Sequence, residues 1–203
     1  MNLRTALEWV YNVSAFAHGL IGDGGWVMAM KREVEIDLFT RTHWVTGQVI
    51  PGSHGLFSHM NMPTESSIEI DKVELCPLHE LQQKSEKVSR IWLVKSEIAA
   101  VLVDNRAGLG PSNVIKAGYT KPFPHWVRVL VDGFELQGQI QTGGRFDFSS
   151  VMFEGENPFI PLFDATLGAL LFPRVKAQAA ALLFNRKMVQ GIFLSPMEGR
   201  PRA

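Results

Sequence analysis

A chain of 203 residues, 46% apolar and 20% charged, is long enough to bury a core. Its 20 basic and 20 acidic side chains cancel and are mixed along the length, so the basic footprint of a nucleic-acid binder is missing from the total. The apolar runs fall short of the roughly 18–20 residues that span a bilayer, and Cys76, the one cysteine, excludes an internal disulfide and points to a reducing, cytoplasmic setting.

The first twenty residues, "MNLRTALEWVYNVSAFAHGL", place apolar side chains at Leu3, Ala6, Leu7, Val10, Val13, Ala17 and Leu20. Steps of three and four predict an amphipathic helix, stopped by the glycines of "GDGG" at 22–25. Glu8, Asn12 and His18 break the apolar stretch that a signal peptide would need. Residues 1–30 are therefore expected to be a helix and turn.

From residue 31 the pattern changes to period two. "VEIDLFT" at 34–40 reads as a strand, followed by "HWVTGQV" at 43–49 as a second. A Gly-rich connection, a short helical turn around "LFSHMNM", a strand at 68–75 and two more around "RIWLV" and "IAAVLV" complete a unit over 31–103. Residues 104–124, rich in Gly, Pro and Asn, read as a linker. The same order then recurs over 125–196: "WVRVLVD", an Asp-Gly hairpin signal, "FELQGQIQT", a Gly-rich connection, "DFSSVMF", "IPLFDATL", and strands around "AALLF" and "MVQGIFL". Residues 197–203 are a tail.

The phrases "HWVTGQVIPG" and "FELQGQIQTGG" stand 91 positions apart. Val45, Gly47, Gln48 and Val49 fall opposite Leu136, Gly138, Gln139 and Ile140. A unit of roughly 70 residues exceeds solenoid periods, so the pattern predicts a tandem domain duplication. The expected fold is mainly β: two small five-stranded β-barrels in tandem, preceded by one helix. Gly47 and Gly138 are expected to mark the bend that a long strand needs to close a small barrel.

Candidate chemistry is sparse. His43, His54 and His59 are loop histidines without the ligand number of a metal site. Asp71 and Asp164 read as turn or capping residues near the third strand of each unit, and Cys76 with His79 nearby reads as a half-buried thiol. No nucleophile elbow, phosphate loop or zinc pattern occurs. The expectation is a non-enzymatic protein without metal or cofactor. Apolar residues on both faces of the 127–136 hairpin, with "NPFIPLF" and "LGALLFP", point to protein partners or a homo-oligomer.

"VRVLVDGFELQGQI" at 127–140 resembles the first two strands of the Sm-like fold, in particular the bacterial RNA chaperone of that family, and "MVQGIFLSP" at 188–196 is compatible with its closing strand. The resemblance implies Sm/SH3-like barrels and an alternative function, RNA binding. In that family RNA is held at ring interfaces by later-loop residues, often Arg-Gly or Tyr-Lys-His. The matching place here reads Asn185, Arg186, Lys187, Met188, so Gln139, Asn185, Arg186 and Lys187 are the RNA contacts the resemblance would give. "FIPLFDA" at 159–165 is also similar to uncharacterised bacterial domains with F-I-P-L-x-D-A before a late strand.

Overall fold

The computed structural model describes residues 33–80, 85–110 and 122–195. The expected helix at 1–30 and the tail at 197–203 lie outside them. Alternation makes one face of each early strand apolar, and β1 (Val34–Thr40) and β2 (His43–Val49) pair antiparallel with Ile36 opposite Gly47. The Thr40 hydroxyl accepts from the His43 N–H at 3.0 Å and closes the turn at Arg41 and Thr42. Then follow α1 (Gly55–Met60), β3 (Ser67–Pro77), β4 (Glu86–Val94), a 3-10 turn at Lys95–Glu97 and β5 (Ile98–Val103).

Within the 104–124 stretch, Asn105 caps α2 (Arg106–Leu109) by accepting from the Ala107 N–H, and Phe123 already belongs to the next strand. The second half runs β6 (Phe123–Val131), β7 (Phe134–Thr142), α3 (Phe148–Phe153), β8 (Phe159–Ala169), β9 (Lys176–Asn185), a 3-10 turn at Arg186–Met188 and β10 (Val189–Leu194). Asp132 and Gly133 have φ of 44° and 86° between paired Val131 and Phe134, the left-handed pair that a two-residue hairpin with right-twisted strands requires.

The fold is mainly β. Among the described residues the ten strands form one antiparallel sheet in the order β10-β6-β7-β8-β9-β5-β1-β2-β3-β4. Each half contributes five strands, and the fifth lies beside the first in both. The halves meet where β5 pairs with β9: Ala100 lies opposite Phe184, Val101 opposite Leu183, Leu102 opposite Leu182 and Val103 opposite Ala181. Among the described residues no helix is long and apolar enough to cross a membrane.

The apolar side chains gather into two clusters. One collects side chains from all five strands of the first half, around Leu38, Val45, Ile70 and Val101; the other does the same in the second half, around Val129, Leu136, Leu167 and Leu182. At the joint they interlock. Ala181 and Leu183 of β9 enter the first cluster, while Ala100 and Leu102 of β5 enter the second. Strand β5 is buried on both faces, which is why "IAAVLV" shows no alternation.

The Gly-Gln steps sit at matching irregularities. The β2–β3 register shifts between Thr46 and Gln48, and the β7–β8 register shifts between Gln137 and Gln139. Across from them Lys72 and Asp164 adopt left-handed backbone, φ 52° and 49°. A bulge of this kind bends the strand and raises its twist.

Candidate functional site

A sheet with ends exposes two rows of backbone donors and acceptors. The terminal strands are β4 and β10. Both show large apolar side chains at the surface: Trp92 is 61% exposed and Val94 51% on β4, Phe193 47% and Leu194 57% on β10. Trp92 lies across its neighbour β3 and donates through Nε1 to Glu69 at 3.0 Å. The Arg128 guanidinium stands 5.1 Å over the Phe193 ring. Each large side chain thus has one lateral polar partner and an open apolar face. Part of the β4 edge is charged. Arg90 bonds Asp71 through Nε at 2.6 Å and Glu69 through Nη1 at 2.7 Å, whereas residues 91–94 carry no charge.

A second feature is a cleft of about 410 Å³ between the β7–β8 connection, α3 and the start of the last 3-10 turn, with Arg145, Asp147, Glu154, Phe159 and Arg186 on its walls. Asp147 caps α3 by accepting from the Ser149 and Ser150 N–H groups and the Ser150 hydroxyl, and these bonds lower its pKa. Arg186 donates to the carbonyls of Glu154 at 3.0 Å and Gly155 at 2.7 Å, and burial lowers its pKa. Its guanidinium fastens the connection after α3 to the 3-10 turn.

The residues that the Sm-like resemblance would use divide between structural and surface positions. Asn185 is 2% exposed. It accepts from the Lys187 N–H at 3.0 Å and donates to the Ile98 carbonyl at 3.0 Å, with a longer contact to that of Lys95 at 3.5 Å. That spends the side chain on the β5–β9 joint. Lys187 is exposed. Gln139 is half-buried on β7 opposite Trp126 and Phe163; Phe163 in turn faces Ala181, so Gln139 is level with Ala181 on β9 and not with Asn185.

The other candidate groups are engaged locally. Asp164 receives Arg106 at 2.6 Å, His43 Nδ1 lies 2.8 Å from the Thr42 hydroxyl, and His54 precedes α1. Burial, then Glu74 and Glu80, raise the Cys76 pKa, which favours the protonated thiol over the thiolate. Among the described residues no group of three or more His, Cys, Asp or Glu is placed to hold a metal.

One charged residue that the sequence did not single out is buried. Lys95, 7% exposed, donates to the His59 carbonyl at 2.5 Å and reaches Glu65 at 3.8 Å. Burial lowers its pKa, and Glu65 opposes that. Burial and then Lys95 lower the His59 pKa, again against Glu65. The edge positions of Trp92 and Phe193 were also missed, although a signal exists. The run "AAALLF" in β9 is apolar throughout, while its counterpart "VSRIWL" in β4 carries Ser89 and Arg90 where β9 has alanines, as a strand covered on one face can. No family model, curated protein or solved structure matches the chain.

Proposed function

We propose that the chain is a non-enzymatic structural subunit, assembling through protein–protein contacts in a larger or homo-oligomeric complex. The observation that carries this reading is the open apolar surface on both terminal strands, Trp92 and Val94 on one and Phe193 and Leu194 on the other. We read each half as a small five-stranded barrel curled around its own cluster, and the shared strand order as the product of an internal duplication. With Cys76 as its one thiol, a reducing cytoplasmic setting suits it. The test is the mass in solution of the full chain, purified gently, by light scattering. The reading expects a stable particle heavier than the 22.7 kDa chain. A strict monomer that retains no stoichiometric partner overturns it.

A second reading, an Sm-like RNA-binding module, is favoured by one observation: Arg145 and Arg186 share the cleft beside α3, with exposed Lys187 in the same turn as Arg186. Phosphate contacts release counterions, so this reading expects RNA affinity that falls steeply as salt rises. Affinity that is absent, or flat from low to moderate salt, overturns it.

A further inference from the structure

We propose that copies of the chain join head to tail, with the β10 edge of one copy pairing antiparallel to the β4 edge of the next in the register of the internal β5–β9 joint. This rests on the assembly reading above and specifies its partner and surface. The chain already makes this joint once. Along the chain β9 is the fourth strand of the second half and β5 the fifth of the first. Their counterparts, the fourth strand of the first half and the fifth of the second, are β4 and β10, the two strands left at the ends. The correspondence extends to detail. A 3-10 turn precedes both fifth strands, at Lys95–Glu97 and Arg186–Met188. The Leu78 N–H bonds the Thr42 carbonyl at 2.8 Å, and the Leu170 N–H bonds that of Gly133 at 2.8 Å.

Exposure follows the missing partner. Leu102 and Leu183, inside the joint, are buried at 2% and 0%; their counterparts Phe193 and Trp92 are 47% and 61% exposed. Leu78 is buried in the second cluster, while its counterpart Leu170 is 52% exposed. Helix α1 buries Leu56, Phe57 and Met60 and packs on β8 of the other half, whereas α3 leaves Phe153 74% exposed. In each pair the member lacking a neighbouring half is the open one. Transposing the register sets Ile192 opposite Trp92, Phe193 opposite Ile91 and Leu194 opposite Arg90. Trp92 of the next copy then enters the second-half cluster of the copy that offers β10, as Leu183 enters the first-half cluster here, and Phe193 fills the reciprocal place. Of the charged residues of β4, Glu86 and Lys87 lie beyond this overlap, and Arg90 stands at its end, held by Asp71 and Glu69. Because the two edges differ, the contact is heterologous: it closes a ring or continues as a filament, and in either case every joint is the same.

Two full-length variants test it, Trp92→Lys and Phe193→Lys. Both sites are exposed, so each isolated chain should keep its fold, checked by circular dichroism and thermal melting. Each variant alone should run as a 22.7 kDa monomer, since one edge of every copy is spoiled. Mixed in equal amounts they retain one sound β10 and one sound β4, and should form a capped pair of twice that mass and nothing larger. Wild-type chain should exceed the pair. An oligomer that survives either substitution, one that only a single substitution breaks, or a mixture that stays monomeric overturns the head-to-tail joint while leaving an assembly role standing. A monomeric wild-type chain without a partner removes both.

Discussion

A Cβ built on Gly138 would lie 2.7 Å from the carbonyl oxygen of Phe163 on the neighbouring strand, closer than real Cβ atoms come to backbone. Leu162 Cγ would stand 2.9 Å away. The glycine is therefore required by close approach of β8, not by its own dihedral angles. Gly47 meets the matching atoms, with Ile70 Cγ2 at 2.5 Å and the Asp71 carbonyl at 2.9 Å. Gly138→Val should destabilise by about 1–3 kcal/mol although valine favours strands, as overpacking does. Gly47→Val should cost about as much, since the Ile70 methyl belongs to a stiff, fully buried side chain and the Asp71 carbonyl is backbone. Gln139→Val, one position along, should stay within about 0.5 kcal/mol of wild type. Urea unfolding of the three variants checks the order.

The left-handed residues across from these glycines supply a second test. Lys72 and Asp164 carry side chains where a β-branched residue would be strained. Lys72→Val and Asp164→Val should each lose roughly 1–3 kcal/mol. The glycine variants should be nearly neutral, because the polar bonds they give up, Lys72 to Gln48 and Glu33 and Asp164 to Arg106, are exposed. Equal melting of the valine and glycine variants would contradict the strain.

How much of this was readable beforehand differs by level. The second hairpin was plain, because Asp132-Gly133 fixes the turn and Val127, Val129 and Val131 alternate on one buried face. The first hairpin was fainter, since the Thr40 side chain closes it in place of an Asp-Gly pair. The joint was not legible. "IAAVLV" says that β5 is covered on both faces, yet a two-sided apolar strand is silent about which strand lies beside it. Lys95 escaped for a related reason. A lysine after a strand reads as solvated, and only the carbonyl of His59, 36 positions earlier, explains its burial.

His59 gives the chain an acid sensitivity with a definite sign. Its folded pKa lies below the ordinary 6.5, through burial first and Lys95 second, with Glu65 pulling the other way. Between that lowered value and 6.5 the unfolded chain holds more protons than the folded one, so stability falls as pH falls through the window and is fully penalised below it. His59→Gln should flatten this part of the profile. Denaturant titrations of both proteins between about pH 7.5 and about pH 5.5 check it: the stability difference should shift in favour of the variant on the acid side.

Asn185 offers the sharpest test of the β5–β9 joint, because a buried amide there uses both of its ends. Its oxygen accepts from Lys187 and its nitrogen donates to Ile98. Asn185→Leu keeps much of the volume but strands a buried carbonyl and an N–H, and should cost about 1–3 kcal/mol. Asn185→Asp is closer in shape and keeps the acceptor for Lys187, yet it turns a second acceptor toward the Ile98 carbonyl. Burial and that repulsion raise the pKa of the new carboxyl, so the folded state takes up a proton that the unfolded state has released. The penalty should then be largest near neutrality and shrink as pH falls toward the ordinary carboxyl range, where the protonated acid can donate to Ile98. The leucine variant has no such dependence. Hydrogen exchange of the β5 amides locates the damage: both variants should lose protection at 98–103 before the β6–β7 hairpin does. If both unfold like wild type at every pH, the amide does not hold the halves together.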